Sequence, residues 1–194
     1  MPASLWSHKL GWKTGEESTL MGDALYNFTE WLRTTQLVEL ALWISDTSAS
    51  MWIVTHFWAI PIIQVIHILA IAASFASILM INARMFNIAG SSSMADTSRR
   101  YIRVLWWSLV VLVLTGIGMI IGEPVRELIN PIFWIKMGLV VFGVLITIWF
   151  HKGVLKHVAA GRDIVATDKT TAVFLVILWM LIMLCGRWIA YAPV

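Results

Sequence analysis

Polar side chains are rare within the long apolar stretches of this 194-residue chain, and a histidine is the most conspicuous of them. His67 lies inside an uncharged apolar run, with Gln64 one helical turn before it and His56 eleven residues before it on the same helical face. A neutral imidazole is a good ligand for haem iron, and apolar surroundings can hold the macrocycle. A buried histidine can also hydrogen-bond a neighbouring helix and only hold a bundle together. The pattern leaves both interpretations open.

The second axial ligand of such a haem is harder to find. His151 ends a later apolar run, immediately before a lysine, whereas His67 precedes Arg84 by seventeen residues. At 1.5 Å per residue the two histidines should differ in depth by about 20 Å, too much for one macrocycle. The iron would then be five-coordinate, bind a thioether such as that of Met119, or use a partner subunit's ligand. His151 stays a candidate ligand, and its other interpretation, shared with His157, is a side chain facing lipid headgroups.

Three charged residues form a second candidate site. Each belongs to a different one of three successive apolar runs, and all three lie near the run ends on the same predicted side of the membrane: Glu123, Lys136 and Arg187. An unpaired charge at such a depth costs roughly 3 kcal/mol, so pairing, or extension of the side chain to water, is expected. One interpretation is a structural charge cluster that fixes the order of the helices. The other is a basic pocket, formed by Lys136 and Arg187, that binds a carboxylate, a haem propionate or a quinone headgroup.

Composition and hydropathy predict the elements that carry these residues. Apolar residues make up 59% of the chain and charged residues 13%, against roughly 25% charged in an average soluble domain. Four stretches are long enough to cross a bilayer, which takes about 20 apolar residues. Because none alternates like a strand, backbone hydrogen bonding in lipid requires helices. We therefore predict an all-α integral membrane four-helix bundle, with spans at about 53–81, 104–122, 131–150 and 172–192.

The first fifty residues differ from the rest of the chain. Residues 21–45 mix large apolar side chains, such as Trp31 and Trp43, with the charges of Glu30 and Arg33. These charges are too closely spaced for a fifth crossing, so we expect one or two amphipathic helices on the membrane surface. The chain thus divides into a tail with interfacial helices, 1–50, and a four-helix membrane domain, 51–194.

The basic residues predict an orientation. Four arginines lie in 82–103 and four basic residues in 151–171, whereas the short loop 123–130 holds one arginine and two glutamates. Loops rich in Lys and Arg stay in the cytoplasm. We therefore expect a multi-pass protein of a bacterial inner membrane, with both basic loops cytoplasmic and both termini periplasmic. This distribution indicates membrane topology and not a nucleic-acid-binding surface.

Several of these stretches resemble an uncharacterised bacterial four-helix membrane family, domain-of-unknown-function family 6644. The resemblance covers roughly 55–191, and its most specific part is the run Asn130-Pro-Ile-Phe-Trp-Ile-Lys136-Met. The family often has Glu where this chain has Gln64 and Asp where it has Asn82, so the resemblance does not support a proton relay. It implies the fold and the bacterial inner membrane, but no biochemical activity. A looser likeness to small four-helix cytochromes b is architectural. The matching stretches are 61–69, 82–85, 122–124, 130–137, 150–151 and 186–191.

These observations favour an inner-membrane subunit that binds haem b and transfers electrons within a larger complex. The alternative is a cofactor-free accessory or anchor subunit that scaffolds a membrane complex. A transporter of small molecules or ions is disfavoured, because the spans carry few polar groups and no breaks at their midplanes. We find no motif of a hydrolase, kinase or dinucleotide-binding enzyme, and so expect at most an electron-transfer subunit. The expected partners are membrane lipids and either protein subunits or a second copy.

Overall fold

The computed structural model describes residues 14–88 and 93–189, and every regular element in these ranges is helical. Residues 1–13 of the predicted tail lie outside the described residues, as do residues 190–192 at the end of the fourth predicted span. The all-α architecture predicted from the sequence is confirmed.

From residue 14 onward, three helices precede the first membrane-length helix: α1, Thr14–Arg33, α2, Leu37–Ser45, and α3, Ser48–Thr55. The hydroxyl of Thr47 accepts a hydrogen bond from the backbone N–H of Ser50 at 3.3 Å, which starts α3. α2 and α3 meet at 64°, and together they are apolar enough for a broken span or a re-entrant loop. Residues 37–55 are therefore apolar enough for a fifth crossing, which the sequence analysis had excluded for residues 21–45.

The first predicted span, 53–81, is divided in two. α3 ends at Thr55, and α4 runs over Ala59–Met85. The chain leaves the helical conformation at His56, where φ is −100° and ψ is 95°. Pro61 lies in the first turn of α4, where the missing N–H needs no helical partner. Pro61 thus marks the start of the helix.

The second long helix, α5, spans Met94–Gly122 and begins ten residues before the predicted span. Its start is fixed by Ser93, whose hydroxyl accepts a hydrogen bond from the backbone N–H of Asp96 at 3.0 Å. The additional turns are polar and carry three arginines. The short helix α6, Pro124–Leu128, follows directly.

The third long helix, α7, spans Pro131–Phe150, as predicted. Asn130 caps it, because its Oδ1 accepts a hydrogen bond from the N–H of Ile132 at 2.9 Å. The helix continues through one π-helical turn, His151–Leu155, into α8, Lys156–Ala159. The last helix, α9, spans Ala166–Trp188.

The long helices form two hairpins, α4 with α5 and α7 with α9, and α4 also packs on α9. We call the end with Glu123 and Glu127 the acidic end, and the end with Arg84 and Arg99 the basic end. One apolar core fills the middle and the basic half of the bundle, around Leu105 and other buried side chains of α4, α5, α7, α8 and α9. A smaller core at the acidic end joins α2 to α6, α7 and the end of α9. The tail helices therefore cover the acidic end.

Among the described residues, four helices are long and apolar enough to cross a membrane: 59–85, 94–122, 131–159 and 166–188. Their most apolar windows have a mean hydropathy of 2.0 to 2.4, and most of each window faces outward. Helices of 23 to 29 residues with an outward-facing apolar surface are long enough to cross the hydrocarbon core of a bilayer. The chain therefore has the architecture of a multi-pass membrane protein.

Candidate functional site

His67 is held by a threonine of the neighbouring helix. Its Nδ1 lies 2.7 Å from Oγ1 of Thr115, which joins α4 to α5 within the first hairpin. The same Oγ1 lies 2.7 Å from the carbonyl oxygen of Val111, one turn earlier on α5, and donates its single proton there. The threonine oxygen can therefore only accept from His67. This arrangement places the proton of a neutral His67 on Nδ1 and leaves the lone pair of Nε2 available.

The ring of His67 lies against a glycine. A Cβ added at Gly116 would be 4.0 Å from Cε1 of His67, so the imidazole lies close to the backbone of α5. His67 itself is half-buried, whereas Gln64, one turn earlier, is exposed. The side chain that the sequence placed beside His67 thus faces away from the bundle, and Thr115 is the partner of the ring.

His56 is not on the same helix as His67, which corrects the prediction of a shared helical face. It lies in the break between α3 and α4, where its Nδ1 is 2.7 Å from the carbonyl oxygen of Trp52. Its ring stacks on that of Trp52 with centroids 4.5 Å apart and meets Trp58 edge-on at 5.8 Å. Such aromatic groups are typical of a membrane–water interface. The structure therefore gives His56 a packing role at the start of α4.

His151 lies at the basic end, in the π-helical turn, and not beside His67. Its Nδ1 is buried and has no hydrogen-bond partner among the described residues. In the described ranges no group of three or more His, Cys, Asp and Glu side chains could hold a metal ion. The other described histidines lie in the break before α4 or at the basic end, away from His67.

The carboxylate of Glu123 has a different partner from the one expected. Oε2 of Glu123 accepts a hydrogen bond from Nη1 of Arg126 at 2.6 Å, and both side chains are nearly half exposed. The sequence analysis had grouped Glu123 with Lys136 and Arg187. Arg187 is exposed near the end of α9. The structure thus pairs Glu123 with Arg126, on the short helix α6 that follows it, by an exposed ion pair.

Lys136 instead lies near Glu127, a residue that sequence reasoning missed. Glu127 belongs to α6 and is only 9% exposed. Burial raises the pKa of its carboxyl above the ordinary 4.5, and the nearby charge of Lys136 lowers it in part. The side chain of Lys136 passes over Gly186 of α9, where an added Cβ would be 3.6 Å from Nζ. Glycine at this position leaves the space that the lysine occupies.

His67 and Lys136 belong to one polar region in the acidic half of the bundle. Lys136 of α7 lies close enough to His67 of α4 and to Glu127 of α6 for its positive charge to act on both groups. The sequence gave little indication that Thr115 and Glu127 belong to this region. Thr115 is an ordinary residue in a span, and Glu127 seemed to belong to a solvated loop.

No family model, curated protein or solved structure matches this chain.

Proposed function

We propose that the chain is an integral membrane subunit of an electron-transfer complex and that His67 is an axial ligand of a b-type haem. The observation that carries this proposal is the hydrogen bond from Nδ1 of His67 to Thr115, at 2.7 Å. Metal-bound histidines almost always donate their other ring N–H to such an oxygen, which fixes the tautomer and the ring plane. Nε2 of His67 is then free to bind iron.

The residues present fit one axial position of a haem. For the second, Met119 lies one helical turn from Thr115 on α5 and offers a thioether, and a partner subunit is the other source. Lys136 lies in the same half of the bundle and would neutralise a propionate. A haem in this position would supply one-electron chemistry, and the protein would hold it through His67 and shield it from water.

The basic residues support an orientation for this subunit. With the basic end in the cytoplasm, the acidic end and the tail helices face the periplasm of a bacterium. The resemblance to the four-helix membrane family supports the same location.

A cofactor-free accessory subunit is the second candidate, and the surface of the acidic end favours it. Trp43 is 67% exposed on α2, and Phe57 is 90% exposed in the break before α4. Trp31 of α1 and Trp52 of α3 are also exposed. Aromatic side chains on one surface suit lipid headgroups or the contact face of another subunit.

The visible absorption spectrum of the purified full-length protein separates the two candidates. A haem protein shows a Soret band and a reduced-minus-oxidised difference, and His67→Ala removes both. His157→Ala is the matched control and leaves the spectrum unchanged. A colourless wild-type protein excludes the haem proposal and leaves the accessory role. An unchanged spectrum in His67→Ala shows that the ligand assignment is wrong.

Labelling of single cysteines tests the orientation. In a Cys185→Ser background, Asp163→Cys at the basic end should react only from the cytoplasmic side. Val125→Cys at the acidic end should react only from the periplasmic side. The reverse pattern would overturn the orientation.

A further inference from the structure

The π-helical turn at the basic end changes which side chains share a helical face. The backbone N–H of Lys156 bonds to the carbonyl oxygen of His151, five residues earlier. In a regular α-helix, residues five apart point about 140° away from each other. The wider turn brings them to the same face, and π-turns of this kind are frequent at functional sites.

The turn therefore gathers basic groups at one point. The charges of Lys152 and Lys156 both act on the ring of His151, and both lysine side chains are exposed. On the opposite side of the turn, Val154 and Leu155 are buried in the main core. Because the buried side anchors the turn, the two exposed lysine side chains are presented at a defined position.

An apolar stripe on the outer face of α7 leads to these basic groups. Leu145 is 59% exposed, and Trp149, one turn later, is 58% exposed. The next position on this face is Gly153, where a Cβ would meet no side chain within 4 Å other than those of its two chain neighbours. The open space at Gly153 thus lies between an apolar stripe and two lysines, at the end of a membrane span.

We propose that this turn binds the phosphate group of an anionic phospholipid, with the acyl chains along Leu145 and Trp149. Lys152 and Lys156 supply charge-assisted hydrogen bonds to the phosphate, and Gly153 provides the room for it. The ligand chemistry is that of a phosphate oxygen, and the apolar stripe is the reason for choosing a lipid over a free ion. Basic pockets at the ends of transmembrane helices are suited to such headgroups. This site does not depend on the proposed haem.

The experiment measures lipid binding to the purified full-length protein in a neutral detergent, by thermal shift during titration. The probes are phosphatidylglycerol, phosphatidylcholine and inorganic phosphate. We expect phosphatidylglycerol to raise the thermal midpoint with saturation, and the other two probes to leave it unchanged. Equal effects of both lipids, or saturation with inorganic phosphate alone, would overturn the proposal.

Matched variants distinguish a specific lipid-binding site from nonspecific electrostatic attraction to the basic end. Lys156→Gln should weaken phosphatidylglycerol binding about tenfold, as expected for a lost charge-assisted hydrogen bond. Arg100→Gln removes the same charge from another exposed position of the basic end and should change the affinity by less than about twofold. Equal losses in the two variants would show diffuse attraction and contradict the site.

A third variant tests the space at Gly153 without changing any charge. Gly153→Leu fills the position in front of the lysines and should weaken phosphatidylglycerol binding about as much as Lys156→Gln. Because nothing lies within 4 Å of a Cβ there, the variant should keep the wild-type thermal midpoint in the absence of lipid. Wild-type lipid affinity in a folded Gly153→Leu protein would also overturn the proposal.

Discussion

Thr115 and Thr147 make equivalent hydrogen bonds in the two helical hairpins. Oγ1 of Thr147 lies 2.7 Å from the carbonyl oxygen of Gly143 and accepts a hydrogen bond from Nε1 of Trp179 at 3.2 Å. Thr115 likewise bonds a carbonyl four residues earlier and meets a ring nitrogen of the partner helix. Since Trp Nε1 can only donate, the parallel supports donation by Nδ1 of His67.

Loss of the Thr115 hydroxyl should free the ring of His67. Thr115→Val keeps the shape of the side chain but removes the acceptor, so His67 should lose its single tautomer. The ¹⁵N chemical shifts of the imidazole report this change directly. We also expect a loss of about 0.5–1.5 kcal/mol in the free energy of unfolding. Thr115→Ser retains the hydroxyl and should behave like wild type; the same loss in both variants would argue against the hydrogen bond.

The buried carboxyl of Glu127 should make stability depend on pH. Because its folded-state pKa is raised above the ordinary 4.5, the folded protein binds this proton more tightly than the unfolded chain. Its contribution to stability is full below about pH 4.5 and is lost as pH rises through the raised value. The difference in thermal midpoint between wild type and Glu127→Gln, measured from pH 4 to pH 8, should follow this loss. A constant difference would show that Glu127 does not titrate differently in the folded state.

Removal of the positive charge of Lys136 should extend the pH range over which Glu127 affects stability. Lys136 lowers the pKa of Glu127, so Lys136→Met should raise this pKa further. The pH-dependent loss of stability should then continue to a higher pH than in wild type. Glu123→Gln is the comparison in the opposite direction, because the charge of Glu123 raises the pKa of Glu127 and its loss should shorten the pH range. Breaking its half-exposed ion pair should cost less than about 1 kcal/mol. An unchanged pH range in Lys136→Met would mean that the two groups do not interact.

The close contact of α5 with the start of α4 depends on Gly122. A Cβ there would clash with Cδ1 of Ile60 and lie 3.1 Å from Cγ2 of Ile53. Gly122→Ala should therefore cost about 1–3 kcal/mol in the free energy of unfolding. Gly138→Ala serves as control, because no atom lies within 4 Å of its Cβ position and alanine favours the helix. Equal stability of the two variants would indicate that α4 moves freely away from α5.

Asn130 joins the two ends of the second hairpin at the acidic end. It is fully buried, caps α7 through Oδ1, and donates from Nδ2 to the carbonyl oxygen of Ile189 at 3.3 Å. Asn130→Ala should cost roughly 1–3 kcal/mol, as measured by unfolding in detergent. Asn130→Ser keeps a capping oxygen and should recover part of this loss. No recovery would assign the whole effect to the bond with Ile189.

The four spans could be predicted from the sequence because hydropathy over twenty residues is a property of composition. The break before α4 could not be predicted, because most residues around His56 are as apolar as those of a membrane-spanning helix. Only Pro61 indicated that the helix starts later. The hydrogen-bond partner of His67 could not be predicted from the sequence either. A threonine in a span is common, and only the packing of α4 on α5 selects Thr115. Glu127 and Glu123 look alike in the sequence, and burial alone distinguishes them.

The two threonine bonds have a consequence for how the chain assembles. Each hairpin contains its own polar cross-link, His67 to Thr115 and Trp179 to Thr147, between helices that follow one another during synthesis. The first pair can therefore satisfy its polar groups before the second has been made, and the second pair needs no group of the first. The nascent chain should leave the translocon as two pre-paired units. Two fragments divided in the loop between α6 and α7, produced separately, should then combine into one bundle.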